Sequence, residues 1–290
     1  MSEGLAQQRT TTDRWLAGPV VLVITSSPAA DGAVARWAAD AAVLRSVPLL
    51  VSVSDTVQEP AAGAAFAASM GIIRAHAPGV PARAVPARSY GADARELAAD
   101  AGLLVVAAGA ADTPALAAET DCPLVAVPRH ELACPDTAAV MLGVTPWTAE
   151  VVIDLAFAEA ELRGAPLDAV RVWCNDTVDL GVPSADNLAL FDAASERVTR
   201  ELDLAVSAWS ARHPTVDVRQ LVIEDDPVPA LLACAHRARL LVLGRSVRGP
   251  SLGNLVGSPL ADLISNARCP VLVVPGDSAC HVDGAPNPRH

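Results

Sequence analysis

The sequence predicts an α/β protein made of two tandem, doubly wound domains, each built on a five-stranded parallel sheet. Two observations predict this. Short apolar runs alternate with helical patterns along the whole chain, which is typical of parallel sheets covered by helices on both faces. The alternation also starts again after residue 136, and segments of the two halves match, such as DCPLVAVP at 121–128 and RCPVLVVP at 268–275. The chain is therefore interpreted as an internal repeat.

The first half contains five apolar runs that are too short to be buried helices, and the segments between them have helical spacing. Strands are predicted at 20–25, 48–54, 82–86, 103–108 and 124–127, and helices at 31–45, 61–77, 93–101 and 113–119. The helix at 61–77 is predicted to end there because Pro78 and Gly79 follow it.

The second half repeats this order of elements. Strands are predicted at 139–144, 167–173, 216–223, 240–243 and 271–274, and helices at 147–163, 184–212, 228–238 and from 259. The predicted organisation is a disordered arm at 1–17, a first domain at 18–129, a linker at 130–135, a second domain at 136–277 and a flexible tail at 278–290.

Composition excludes several classes of function. The formal net charge of −12 argues against nonspecific binding to nucleic acid. No apolar run is long enough to span a membrane, and residues 1–17 lack the order of a signal peptide, so we expect a cytoplasmic protein without a membrane partner. All 21 basic residues are arginine, which excludes a catalytic lysine, a Schiff base and the lysine of a Walker-type phosphate loop.

A glycine-rich loop follows the predicted strand at 240–243. It runs from Gly244 to Gly257, and Ser258-Pro259 then suits the start of a helix. Glycines let backbone N–H groups approach an anion, and the free N–H groups of a helix N-terminus complete a phosphate cradle. The alternative is a surface loop in which Ser258 only caps the helix.

Gly244, Gly257 and Ser258 resemble the C-terminal signature of the universal stress protein family. That signature is a glycine, two residues, a glycine, nine residues, a glycine, and then serine or threonine; Val247 replaces the second glycine. The resemblance implies the strand order 3-2-1-4-5. It also implies that the two units pair through their final strands, as an intrachain pseudo-dimer. The implied ligand is ATP or AMP, with Mg²⁺ only alongside the bound nucleotide.

The resemblance places the nucleotide site in the second half. Its candidate residues are Thr145, Val172, Gly244, Arg248, Gly257 and Ser258. Thr145 stands where nucleotide-binding members have an aspartate, so it offers the ribose no carboxylate. Val247 restricts the loop backbone where a glycine is expected, and both departures predict weak binding.

The first half lacks this loop. Only 15 positions separate Ala107 from Cys122, whereas 25 separate Gly244 from Cys269, and Asp112 in the remnant would repel phosphate. The first domain is therefore predicted to be a degenerate copy that binds no nucleotide.

The function predicted from the sequence is a non-catalytic stress-response or regulatory protein whose second domain weakly binds an adenine nucleotide. No catalytic residue is predicted because the histidines form no acid–base arrangement, and no metal site because the cysteines form no C-x-x-C pair. Two alternatives remain open: a protein–protein interaction module that has lost nucleotide binding, and an adenylyl-transferring or ATP-hydrolysing enzyme. A homo-oligomer also remains open.

Overall fold

The computed structural model describes residues 11–25, 32–54, 57, 60–85, 98–110, 113–130, 135, 137–174, 185–245 and 259–276. The first unit contains strands β1 (Val20–Ile24), β2 (Leu49–Val53), β3 (Ala82–Ala84), β4 (Leu103–Ala107) and β5 (Leu124–Val127), and helices α1 (Gly32–Arg45), α2 (Ala61–His76) and α3 (Thr113–Glu119). The second unit contains strands β6 (Val140–Gly143), β7 (Leu167–Trp173), β8 (Val218–Glu224), β9 (Leu240–Arg245) and β10 (Val271–Pro275), and helices α4 (Glu150–Leu162), α5 (Ala185–Ser210), α6 (Pro227–Ala235) and α7 (Pro259–Asn266).

The ten strands form one sheet in the order β3-β2-β1-β4-β5-β10-β9-β6-β7-β8. Each unit therefore has the predicted order 3-2-1-4-5, and all strand pairs within a unit are parallel. The units join where β5 pairs with β10 in the antiparallel direction, with Val125 opposite Leu272. Each of these strands is thereby covered on the side that would otherwise be an open sheet edge.

The sheet is buried because its central strands are apolar on both faces. Every residue of β1, β4, β5 and β10 is buried, as expected for parallel strands between two helix layers. Helices α1, α2, α4 and α5 pack on one face, and α3, α6 and α7 on the other. Among the described helices, none has the length and apolarity needed to cross a bilayer.

The predicted disordered arm is wrong for its second part. Residues 11–17 are helical, and Trp15 is only 3 % exposed. The carbonyl of Trp15 accepts a hydrogen bond from Arg45 Nη1 at 3.4 Å. Burial of a large indole offsets the entropy cost of ordering this segment. Residues 1–10 and the predicted tail at 278–290 lie outside the described residues, and the predicted domain limits stay predictions.

A buried ion-pair cluster joins the two units. Glu159 of α4 is paired with Arg163 at the end of the same helix and with Arg45 at the end of α1. All three side chains are at least 93 % buried. Burial alone would raise the pKa of Glu159, but attraction by Arg163 and Arg45 outweighs it and holds the pKa below its ordinary value. The carboxylate therefore stays charged and ties the first unit to the second.

The cluster is asymmetric although the units repeat. Arg45 and Arg163 are equivalent in the repeat, since Arg45-Ser-Val-Pro-Leu matches Arg163-Gly-Ala-Pro-Leu. The residue four positions before Arg45 is Ala41, whereas the residue four positions before Arg163 is Glu159. Two guanidinium groups therefore share one carboxylate, and the cluster keeps an excess positive charge.

We predict that Glu159→Gln destabilises the protein by about 3–5 kcal/mol, because removing one member of a buried ion pair leaves its partners uncompensated. The control is Glu196→Gln on α5, whose pair with Arg200 spans 3.6 Å between side chains that are 73 % and 67 % exposed. The control should change stability by at most about 1 kcal/mol. Urea unfolding of both variants measures the difference, and equal small changes would contradict the prediction.

The same variant has an expected pH dependence. A carboxylate whose pKa is lowered by folding adds stability above its unfolded pKa, and this stability is lost as the pH falls through the folded pKa. The ordinary pKa of Glu159 is 4.5, and folding lowers it. The stability gap between the wild type and Glu159→Gln should therefore be constant above pH 4.5 and narrow below it.

Candidate functional site

The predicted site lies at the carboxyl ends of the strands of the second unit, where the strand order reverses. β6 is flanked by β7 on one side and by β9 on the other. The strands after β6 are therefore added first on one side, as β7 and β8, and then on the other side, as β9 and β10. Open α/β sheets bind ligands at such a switch point. Thr145 follows β6, Val172 lies near the end of β7, and Gly244 lies near the end of β9. The structure thus brings three of the six predicted residues to one edge.

Thr145 is exposed and organises the turn that leads into α4. Its backbone N–H donates to Thr148 Oγ1 at 2.8 Å, and the backbone N–H of Trp147 donates to Thr145 Oγ1 at 3.3 Å. Such side-chain-to-backbone bonds compete with helix formation. They explain why α4 begins at Glu150 and not at the predicted residue 147.

Val172 belongs to the core more than to an open pocket. Its side chain is half-buried and packs against the apolar cluster beneath α6, together with Ile223 and Leu232. The neighbouring Arg171 is on the other face, where its Nη1 donates to the carbonyl of Val144 at 3.3 Å. At position 172 only the backbone can form hydrogen bonds, because Val172 has no polar side-chain atom.

Gly244 is in close contact with helix α4. A Cβ on this residue would lie 3.1 Å from Cγ2 of Val152, which is fully buried in α4. Gly244 is not among the glycines with positive φ, which are Gly109 and Gly164 in the described part of the chain. The first signature glycine therefore lets β9 approach α4 closely, whether or not a phosphate binds in the loop after it.

Arg245 connects the site to the first unit. Its Nη1 donates to the carbonyls of Ala118 and Thr120, at 2.9 and 2.7 Å. These carbonyls lie at the C-terminal end of α3, where cations are favoured. Burial lowers the pKa of Arg245, and Asp121 acts in the opposite direction. Arg245, which could have faced a phosphate or solvent, instead caps a helix of the other unit.

Three predicted site residues lie outside the described residues: Arg248, Gly257 and Ser258. The described chain stops at the end of β9 and resumes at Pro259, where α7 begins. The predicted contacts of these three residues with phosphate stay predictions.

The equivalent edge of the first unit has a shorter connection between its fourth strand and the helix that follows. Only five residues, 108–112, connect β4 to α3, whereas residues 246–258 connect β9 to α7. Thr113 is completely buried, and its Oγ1 donates to the carbonyl of Ala107 at 3.0 Å. This bond draws the first turn of α3 onto the end of β4.

Among the described residues, no group of three or more His, Cys, Asp or Glu side chains is arranged to hold a metal ion. Cys122 is buried, and desolvation raises its pKa to about 12. Its thiol is therefore protonated at neutral pH and packs as a small apolar group.

Comparisons with known proteins find a match in the second unit. Residues 139–275 match the family model of the universal stress protein family. The C-terminal unit is a universal stress protein domain. The chain is 31 % identical to universal stress protein Rv2005c of Mycobacterium tuberculosis over 163 residues, which cover 55 % of the chain and 53 % of that protein. The chain thus spans about half the length of this curated relative.

Solved structures share the fold over nearly the whole chain. A protein of unknown function, PA1789 from Pseudomonas aeruginosa, covers 92 % of the chain with a TM-score of 0.64 at 16 % identity, and 95 % of that structure is matched. A universal stress protein from Archaeoglobus fulgidus covers 89 % with a TM-score of 0.56 at 14 % identity, and 97 % of it is matched. Both therefore contain the two-unit arrangement.

Other universal stress proteins carry nucleotides. One structure is a complex with cAMP and another, from Archaeoglobus fulgidus, a complex with dAMP. Each covers 48 % of the chain, with TM-scores of 0.33 and 0.31. At that level of similarity their ligand positions do not transfer to this universal stress protein domain.

We predict that Arg245→Gln lowers the free energy of unfolding by about 2 kcal/mol, since hydrogen bonds to charged groups contribute about 1.5–3 kcal/mol each. Arg219→Gln is the control, because Arg219 is 55 % exposed and pairs with Asp168 across 2.7 Å at the surface. The control should change stability by less than about 1 kcal/mol. Thermal unfolding measures both, and a change no larger than that of the control would show that the inter-unit contact contributes nothing measurable.

Proposed function

We propose that the C-terminal domain binds an adenine nucleotide, ATP or AMP, at the carboxyl edge between β6 and β9, and that the protein is a non-catalytic regulator of a stress response. The observation that carries this proposal is the position of Thr145 and Gly244 on the two sides of the switch point in a matched universal stress protein domain. The sequence signature that continues to Gly257 and Ser258 adds the phosphate-binding part.

The proposed orientation follows from the order of the elements. The phosphates lie on the loop at 246–258 and on the free N–H groups at the start of α7. The nucleoside lies towards Thr145 and the backbone of Val172. Trp147 is 61 % exposed beside Thr145, so an indole surface is available at the same edge.

Weak binding is part of the proposal. Thr145 supplies no carboxylate, and its oxygen already accepts a hydrogen bond from Trp147. Val247 adds a branched side chain where the resembled signature has glycine. Forcing such a residue into an unfavourable backbone region costs about 1–3 kcal/mol, which corresponds to roughly a five- to hundredfold loss of affinity.

The proposal excludes efficient chemistry at the site. The chain contains no lysine to hold a transferred phosphoryl group, since its basic residues are all arginine. Mg²⁺ would come only with the nucleotide, because the described part of the chain has no cluster of metal ligands. Steady-state ATP hydrolysis of about 1 s⁻¹ or faster, the low end of ordinary enzyme rates, would favour an enzyme.

A second candidate function, a protein interaction module, is supported by α5. Leu188, Leu190 and Leu204 of this helix are 60 %, 58 % and 75 % exposed. These leucines are apolar surface that a partner protein would bury, although Leu188 and Leu190, two positions apart, lie on different sides of the helix. This function does not require nucleotide and becomes the better one if the full chain binds none.

Calorimetric titration of the full chain with ATP tests the nucleotide proposal. We expect Val247→Gly to tighten binding at least about fivefold, because it restores the backbone freedom that the signature requires. Ser258→Ala should weaken binding, because it removes a hydroxyl at the helix N-terminus.

Two matched controls come from the same loop. Val256→Gly also adds a glycine, and Ser251→Ala also removes a hydroxyl, but neither position belongs to the signature. If all four variants bind ATP as the wild type does, or if no variant binds, the loop does not hold phosphate and the interaction module is the better interpretation.

A further inference from the structure

An arginine-rich cleft lies between the units, at the edge of the sheet where strands β9 and β10 of the second unit begin. It has a volume of about 400 Å³ and lies between α1 and the segments that lead into β9 and β10. Four arginines line it: Arg163, Arg237, Arg239 and Arg268. Trp37, Val43 and Leu44 of α1 form its apolar wall.

The cleft has a large excess of positive charge. The chain has 33 acidic residues, but Asp40 is the only one among the residues that line this cleft. Asp40 already has a hydrogen-bond partner, since its Oδ1 lies 2.7 Å from Nε2 of His76. Four arginines therefore line one cleft in a protein whose net charge is strongly negative. One of them, Arg163, is paired with Glu159, and the others add positive potential at this place.

The charge excess continues into the protein beneath the cleft. Arg163 and Arg45 share the single carboxylate of Glu159. Burial lowers the pKa of Arg163, Glu159 acts in the opposite direction, and the charges of Arg45 and Arg239 lower it further. The guanidinium of Arg163 also lies 5.7 Å from the ring centroid of Trp37, which holds it at the wall of the cleft.

We propose that this cleft binds a small molecule that carries at least two phosphate or carboxylate groups. Guanidinium groups pair with both kinds of group through two parallel hydrogen bonds. The volume lies within the range of small-molecule sites, about 300–1,000 Å³. The apolar wall suits an organic body between or beside the anionic groups. A bound anion would contact both units and so stabilise their arrangement.

The cleft is separate from the proposed nucleotide site. Arg239 precedes β9, and the glycine loop follows the end of the same strand at Arg245. Six residues of strand span about 20 Å, so one small ligand cannot reach both places. The proposal therefore stands or falls independently of nucleotide binding.

Calorimetry on the full chain with inorganic triphosphate and with citrate tests the proposal. We expect saturable binding of at least one of them, and the stronger of the two identifies phosphate or carboxylate as the preferred group. Arg237→Gln combined with Arg268→Gln should weaken binding at least tenfold, because both arginines line the cleft and are exposed.

The matched control removes two exposed arginines elsewhere. Arg197 and Arg200 are both 67 % exposed on α5, and changing both to glutamine alters the net charge by the same amount. Binding must survive in this control, and thermal unfolding must show that both double variants fold. The single variants Arg237→Gln and Arg268→Gln replace the cleft double variant if it does not fold. No saturable binding by either anion, or equal loss in both double variants, would overturn the proposal.

Discussion

The antiparallel pairing of β5 with β10 is the constraint on which the rest of the structure depends. It turns two five-stranded sheets into one sheet and covers two edges that would otherwise be open. It also brings α1 beside α4, so that Arg45 and Arg163 meet at Glu159. On the other face it brings α3 beside β9, where Arg245 binds the carbonyls of Ala118 and Thr120. Each unit is thus held by side chains of the other.

Within this single sheet the two units differ in the connection that follows their fourth strand. In the first unit this connection is short, and the hydrogen bond from Thr113 to Ala107 holds the start of α3 against the end of β4. The second unit has a connection of 13 residues, 246–258, between β9 and α7. A repeat that is symmetric in its strands is therefore asymmetric in the length of this connection, and we propose that nucleotide binds only to the C-terminal domain. The arginine-rich cleft depends instead on both units, because α1 forms one of its walls.

The sequence predicts the strands and their order well because each central strand is a short apolar run buried on both faces, such as Val20–Ile24 and Val271–Pro275. Helix limits are less predictable where side chains compete with the backbone, as at Thr145. Contacts between distant residues could not be predicted, since nothing near Arg45 in sequence indicates Glu159. The repeat gave one usable signal, the equivalent arginines at 45 and 163. For Gly244 the sequence predicts a role in binding phosphate, and this stays a prediction, whereas the structure shows a close contact with Val152 that favours glycine.

Photoaffinity labelling of the full chain with an azido-adenine analogue of ATP, followed by peptide mapping, tests most directly the claim that only one unit retains the site. The account predicts that label protected by excess ATP appears in peptides from 139–275, the matched domain, at the edge formed by Thr145 and the segment after β9. We expect no protected label in the first unit, because its connection from β4 to α3 is only five residues long and Thr113 draws α3 onto the end of β4. ATP-protected label in peptides from the first unit would contradict the account.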